Sequence, residues 1–316
     1  MLMKKKKDHP LITGHSQDTY HVPVLMNELV EGLAIKPAGI YVDCTFGGGG
    51  HARAILERLS DQGRLIAFDQ DEDAKMNLPD DPRFLFIPHN FRHLQRFLRL
   101  HRIAEIDGLI ADLGVSSHQF DEAERGFSIR FDAPLDMRMD RKQTLTAADL
   151  LHKLSEQELH KVLEQYGEVT NAKTLARKIV ESRKVSSINT INEFKNAVHA
   201  VVKGNPNKYF AQVFQALRIA VNDEMGALKE MLQTLPSLLR KDGRVAIITF
   251  HSLEDRIVKN FFKTGSLEEP ERDTVYGTRA ESPFLIITKK PIVPTDEEIR
   301  RNPRSRSAKL RIAQKK

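Results

Sequence analysis

Apolar runs of strand length alternate with stretches of helical period over the first third of the chain. Leu25, Leu29, Val30 and Leu33 share one helical face in a segment entered through Tyr20 to Val24, and Lys36-Pro37-Ala38-Gly39 breaks it. Ile40-Tyr41-Val42 is a short apolar run, Gly47-Gly48-Gly49-Gly50 follows, and Ala52 to Leu59 returns to a helical period. Residues 64–69, 84–87 and 106–112 are further apolar runs, with helical stretches starting at Asp71 and Leu94 between them. This β-α-β-α-β-α-β alternation predicts a parallel sheet with right-handed crossovers, whose ligands bind beyond the carboxyl ends of the strands. Residues 43–51, 69, 89–91 and 112–119 then share one rim.

The alternation stops after Asp112. The next core strand is expected at 243–250, far beyond the few tens of residues a crossover needs. The intervening chain opens with a polar, turn-rich stretch at 125–140 and continues with helix starts. Thr146 precedes one helix, and Ser155-x-x-Glu158 and Thr190-x-x-Glu193 are capping boxes. Leu159, Val162, Leu163 and Tyr166 form one stripe, and Leu175, Ile179 and Val180 another. Gly204-Asn205-Pro206-Asn207 reads as the end of a helix, and Tyr209 to Leu235 as one long amphipathic run back to the sheet. The expected organisation is a basic, disordered terminus at 1–19, a sheet domain from 20–124 and 216–316, and an inserted helical subdomain at 125–215. A helix opens at His251, 284–288 is a late antiparallel strand, and Thr295-x-x-Glu298 opens a short basic stretch.

Charge adds a partner to this picture. The chain has 316 residues, 49 Lys+Arg against 43 Asp+Glu, and a net charge of +6. The excess is concentrated in Lys4 to Lys7 and in Arg300, Arg301, Arg304, Arg306, Lys309, Arg311, Lys315 and Lys316. Such runs fit a polyanionic partner; solvated tails are the bland alternative. The single cysteine, Cys44, rules out an intrachain disulfide and a cysteine-rich zinc site. His89 and His93 stand four apart with no further ligand group nearby, so packed or surface histidines are expected and no metal site. No apolar run reaches the ~18 residues of a membrane span. A soluble, cytoplasmic protein without a membrane partner is expected.

The glycine turn narrows the ligand. Gly48 and Gly50 begin a Gly-x-Gly-x-x-Gly pattern, but its last position is Arg53, and no Walker lysine follows. Asp43, Thr45, Gly47 and Gly49 instead give acidic-x-small-x-Gly-x-Gly, which resembles the first motif of class I methyltransferases and implies S-adenosylmethionine as cofactor. A carboxylate beside the turn suits a cation and repels a pyrophosphate. Asp69, at about the 20-residue spacing beyond the glycines, suits ribose hydroxyls; a strand-end turn aspartate is its structural alternative. The fold class expected is α/β, a class I methyltransferase (Rossmann-like) parallel sheet with a late antiparallel strand and an inserted all-helical subdomain.

Several motifs carry a closer resemblance. Residues 43–51 (Asp43-Cys44-Thr45-Phe46 to His51), 111–119 (Ala111-Asp112-Leu113-Gly114 to Gln119), Arg125-Gly126-Phe127-Ser128, Pro134-Leu135-Asp136-Met137-Arg138-Met139, Phe214 to Ile219, His251-Ser252-Leu253-Glu254-Asp255-Arg256 and Asn302 to Arg311 together resemble the bacterial ribosomal RNA small-subunit methyltransferase H family. The resemblance implies N4-methylation of a cytidine in the decoding region of 16S ribosomal RNA, within the small ribosomal subunit; a homodimer is compatible with it. Matched by motif, the cofactor contacts fall on Gly49, Gly50, His51, Asp69, Phe91, Asp112 and Gln119. His118 stands where a proline is expected, and 208–211 departs from the usual approach to Phe214.

Direct transfer to an exocyclic amine needs alignment and an acceptor for the amine proton, with no covalent intermediate. Asp112 is the candidate acceptor, a contact to the cofactor's amine being its alternative. The Asp-Pro-Pro-Tyr signature of many amino-methyltransferases is absent. Asp136, Arg138, His251, Glu254 and Arg256 are substrate-side candidates, each with an ion pair or helix cap as its alternative. Arg304, Arg306, Lys309 and Arg311 are expected at phosphates. A DNA amino-methyltransferase, a nicotinamide oxidoreductase and a non-catalytic RNA-binding assembly factor are the competing readings.

Overall fold

The computed structural model describes residues 23–268 and 281–316. The terminus expected to be disordered and a charged stretch, residues 269–280, lie outside the described residues. The strands are β1 Ile40–Asp43, β2 Arg64–Phe68, β3 Phe84–Ile87, β4 Ile106–Asp112, β5 Leu239–Thr249, β6 Phe284–Ile286 and β7 Lys309–Lys315. They form one sheet in the order β3-β2-β1-β4-β5-β7-β6. β7 alone is reversed, antiparallel to both β5 and β6, and every other pair is parallel. A parallel sheet is covered on both faces, which is why β4 is buried from Ile106 to Ala111 and is apolar there except at Asp107.

The helices are α1 Met26–Leu33, α2 Gly50–Leu56, α3 Leu94–Leu100, α4 Ser117–Asp121, α5 Ala147–Lys153, α6 Glu156–Gly167, α7 Ala172–Ser182, α8 Ile191–Val198, α9 Pro206–Asn222, α10 Glu224–Leu238, α11 Ser252–Thr264 and α12 Asp296–Arg301. α1 and α2 pack Leu29, Val30, Ala52 and Ile55 on one face of the sheet. α3, α10 and α11 pack Leu94, Leu98, Met231, Leu232 and Phe261 on the other. A third core, from Phe127 to Val221, belongs to the helices inserted after β4. Thr146, Ser155 and Thr190 all close capping boxes. Thr295 caps α12 alone, because Glu298 Oε1 accepts the Leu25 N–H at 2.8 Å instead of turning back on its own helix.

Four local expectations are corrected. The stretch after Asp71 forms a 3-10 turn, Glu72–Asn77. Asn205 starts α9 with Pro206 in its first turn, so Gly204 to Asn207 opens a helix and does not end one. The long amphipathic run is two helices, broken where Asp223 takes a left-handed conformation (φ 46). α9 therefore runs across the expected 215/216 boundary, and its buried residues up to Val221 stay with the insertion core. The basic C-terminal stretch contains β7, whose Leu310, Ile312 and Ala313 are buried in the sheet.

Candidate active site

β1 delivers Asp43 to the carboxyl edge and the chain turns through Thr45 to Gly49 into α2. Cys44 N–H donates to Ile110 O and Phe46 N–H to Phe68 O, stitching the turn to the strands on both sides. Gly49 is left-handed (φ 74), and a Cβ there would meet the Phe46 ring at 2.8 Å. At Gly50 the corresponding space is filled by Pro23, 2.1 Å from an added Cβ, so this glycine serves packing. The open side of the turn is at Gly47, where the nearest atom would stand at 4.0 Å. Asp69, at the end of β2, accepts Gly47 N–H at 2.7 Å and Asp71 N–H at 2.9 Å. It braces the turn with one lone pair of each oxygen and keeps the others for a ligand.

Three carboxylates crowd this edge without a cation. Burial pushes Asp43 up to about 7, with Asp69 adding repulsion and the Thr45 N–H opposing it. Burial likewise raises Asp69 to about 6. Asp112 is raised to about 8, by burial first and then by Asp43 and Glu254. Asp43 Oδ2 and Asp112 Oδ1 are fully buried and have no hydrogen-bond partner among the described residues. Asp112 nevertheless keeps 25% of its side-chain surface accessible. The arrangement is complementary to a positive charge.

His51, in the first turn of α2, faces Asp112 with Nδ1 at 3.9 Å from Oδ2. Its Nε2 is 3.1 Å from Val24 O. A carbonyl only accepts, so Nε2 carries the hydrogen and Nδ1 presents a lone pair. Burial depresses its pKa to about 4, so the ring is neutral. Burial also raises the Cys44 thiol well above its ordinary value, which disqualifies it as a nucleophile.

β5 brings His251 and Glu254 to the same edge. His251 caps α11, its Nδ1 accepting Glu254 N–H at 3.4 Å. Its Nε2 stands 3.1 Å from Glu254 Oε1 without the alignment of a hydrogen bond. Burial would raise Glu254, but His251, the Phe250 N–H and Arg218 outweigh it and hold the carboxyl low. Glu224, His251 and Glu254 could offer three metal-ligand atoms within 4.8 Å of one another. Arg218 already bonds Glu224 through Nε (2.8 Å) and Nη2 (3.0 Å), so a guanidinium fills the cation's place. Arg218 and Glu224 were not foreseen, because they meet only through the break at Asp223.

The other predicted residues are distributed as follows. Phe91 begins the 3-10 turn after β3 and packs half-buried against the sheet core. Gln119 is buried, and both ends of its amide are engaged: Oε1 accepts Ser116 N–H at 3.0 Å and Nε2 donates to Asp71 at 2.7 Å. Asp136 and Arg138 form a two-bond ion pair, and Arg138 also donates to the carbonyls of Arg141 and Gln143. Arg304 is paired with Asp121, Arg311 with Asp255, and Lys309 lies 3.7 Å from Asp255. Of the expected phosphate ligands Arg306 alone is exposed; Arg256 is exposed on α11. His89 stacks on Phe97 at 4.5 Å.

One residue of larger consequence carried no assigned role. Arg125 is 3% exposed and donates to Asp71 (2.7 Å), Asp73 (3.1 Å), Arg138 O (3.1 Å) and Met139 O (3.1 Å). It ties the insertion to the segment that begins at Asp69. Its only sequence signal was its place in Arg125-Gly126-Phe127.

The strand order with one reversed strand, and the acid-bearing glycine turn at the carboxyl edge of β1, define a class I methyltransferase fold. The chain belongs to the MraW methylase family, whose model matches residues 18–316. Relatives called ribosomal RNA small subunit methyltransferase H are similar over nearly the full length. That of Bacteroides thetaiotaomicron is 53% identical over 94% of this chain and 98% of its own. That of Parabacteroides distasonis is 54% identical over 94% and 97%, and that of Flavobacterium johnsoniae 54% over 94% and 98%.

Proposed function

We propose that this chain transfers a methyl group from S-adenosylmethionine to the exocyclic N4 of a cytidine in the decoding region of 16S ribosomal RNA, within the small subunit. The observation that carries the reading is the set of raised, uncompensated carboxylates around the open glycine turn. It fits the cationic sulfonium and ammonium of that cofactor and disfavours a pyrophosphate. The names of the relatives support the ribosomal substrate. Gly47 and Gly49 would hold the cofactor's backbone-facing side, Asp69 its ribose, Phe91 its adenine flank, and Asp43 and Asp112 its positive end. When bound, the cofactor supplies an electrophilic methyl group.

The chain's own residues do the rest. Asp112, ionised against the cofactor's positive charge, accepts a hydrogen of the target amine, and its buried setting favours holding that proton once the positive charge is gone. Neutral His51 stands behind it with a lone pair. His251, whose Nδ1 accepts a backbone N–H, carries its hydrogen on Nε2, buried beside Glu254 Oε1, and so positions the start of α11 at this edge. Glu254 and the Arg218–Glu224 pair fix that imidazole. The target cytidine has to be unpaired or flipped, since its amine is otherwise engaged in base pairing, and the helical insertion over the edge is proposed to present it. Small subunits from a strain lacking the enzyme, incubated with labelled S-adenosylmethionine, should yield labelled N4-methylcytidine on digestion to nucleosides. No label, or label on another base, would refute the reading.

A further inference from the structure

The internal pairing of Arg304 and Arg311 leaves Arg306 as the one exposed residue of the four expected phosphate ligands and directs attention to α3. From Phe91 to Ala104 the chain carries Arg92, His93, Arg96, Arg99, His101 and Arg102 and no acidic residue. Leu94, Leu98 and Ile103 bury the inner side against the sheet. Arg96, Arg99 and Arg102 are exposed, and none has a side-chain partner among the described residues. Arg92 differs: it is spent on Asp223 and Glu230, which anchors the start of the segment beside α10. Leu100 lies among these arginines with 71% of its surface exposed.

The end of α3 supplies an independent observation. Ile103 N–H donates to Leu98 O at 2.9 Å and Arg102 N–H to Arg99 O at 3.0 Å, the bonds of a helix terminated by a left-handed residue. That residue is Arg102 (φ 58). Glycine would make the same bonds without strain. The negative end of the helix dipole accommodates Arg99 and Arg102, but it explains neither Arg96, a turn earlier, nor an arginine in the strained position. Ala34 and Glu168 end their helices in the same conformation, so the strain alone assigns nothing. At Arg102 it coincides with an exposed guanidinium that has no partner among the described residues, beside Arg96 and Arg99, and that combination points to a partner outside the chain.

We propose that the outer face of α3, through Arg96, Arg99 and Arg102, binds the phosphate backbone of the ribosomal RNA substrate. This rests on the ribosomal RNA reading above. Guanidinium groups without lysine suit the forked geometry of phosphate oxygens, and exposed Leu100 suits contact with a sugar or base. The strip starts at the 3-10 turn beside the cofactor edge and leads about 10 Å along the helix, at 1.5 Å per residue.

The test measures binding of protein-free 16S ribosomal RNA between 50 and 200 mM salt by wild type, Arg102→Gly, and the triple variant Arg96→Gln, Arg99→Gln, Arg102→Gly. Arg102→Gly should raise the melting temperature while weakening RNA binding several-fold, a combination that a structural role cannot produce. The triple variant should lose tenfold or more in affinity, with the slope of log K against log salt shallower by about 2. Its KM for small subunits should rise at unchanged kcat, and the melting shift given by S-adenosylmethionine should persist. Unchanged affinity and slope, absence of wild-type binding, or an effect seen with small subunits but not with protein-free RNA would overturn the proposal. Failure of the wild type to methylate small subunits would instead strike the functional reading on which it rests.

Discussion

Strand β4 carries a carboxylate near each end, buried at Asp107 and partly open at Asp112, and the two are held in opposite states. Asp107, at the amino end, accepts Ile40 N–H at 3.0 Å, Lys36 Nζ at 3.2 Å and Arg240 Nη1 at 2.8 Å. Burial would raise it, but these three partners outweigh burial and keep it below its ordinary value. Asp112, at the carboxyl end, has neither a cation nor a partner for Oδ1, and it is raised to about 8. A structural carboxylate completes its own contacts within the chain. One that does not, on the edge where a parallel sheet binds its ligands, is reserved for something the chain does not supply.

Asp112→Asn attacks that distinction most directly. It keeps the shape and removes the acceptor, so kcat for methyl transfer should fall by about 10²–10⁴ while the protein stays folded. Activity within a few-fold of wild type would move the acceptor role elsewhere. Arg125→Met probes the opposite kind of site, where every charge is satisfied. It leaves Asp71 without its cation, held only by the Gln119 amide and the Asp73 N–H, and takes the donor from two carbonyls, so chemical denaturation should report a loss of about 3 kcal/mol. A loss under 1 kcal/mol would show that the insertion does not depend on this anchor.

The pH dependence of stability sharpens the contrast between the strand ends. Asp107 has a depressed folded pKa, so its contribution is present above the unfolded value of 3.8 and is lost as pH falls through the folded one. Asp107→Asn should therefore destabilise at neutral pH and cost little in acid. Asp112 is raised from 3.8 to about 8, so the folded state holds a proton that the unfolded state releases. Stability of the ligand-free protein falls as pH rises from about 4 to about 8 on this account. Asp112→Asn should leave the melting temperature unchanged near pH 4 and raise it by several degrees at pH 8. Parallel melting curves for the two variants would erase the distinction.

The parallel half of the sheet was legible because its strands are short apolar runs, three of which, β1, β2 and β4, lead into an acid. The chemistry of the edge was legible in part. Asp43, Asp69 and Asp112 could be placed there, but not the fact that Asp43 and Asp112 each keep one oxygen without a partner among the described residues, which depends on what the folded chain leaves out. β7 was hidden by its charges: Lys309 and Arg311 read as a basic tail, yet Asp255 of α11 neutralises Arg311 and allows it to be buried at 7% exposure. The break at Asp223 was hidden because a left-handed aspartate carries no glycine signal. Arg218 and Glu224 meet only through that break, so the environment of His251 could not be read in advance. Gln119, expected at the cofactor, has its amide committed to Ser116 and Asp71, which no sequence signal announces.

The central claim is that the carboxylate edge is completed by a cationic ligand. Titration calorimetry of S-adenosylmethionine binding at pH 7, in buffers of different ionisation enthalpy, counts the protons exchanged. Wild type should release protons as Asp112 and Asp43 ionise against the bound cation, and Asp112→Asn should release measurably fewer. Net proton uptake, or equal release by wild type and Asp112→Asn, would contradict the account.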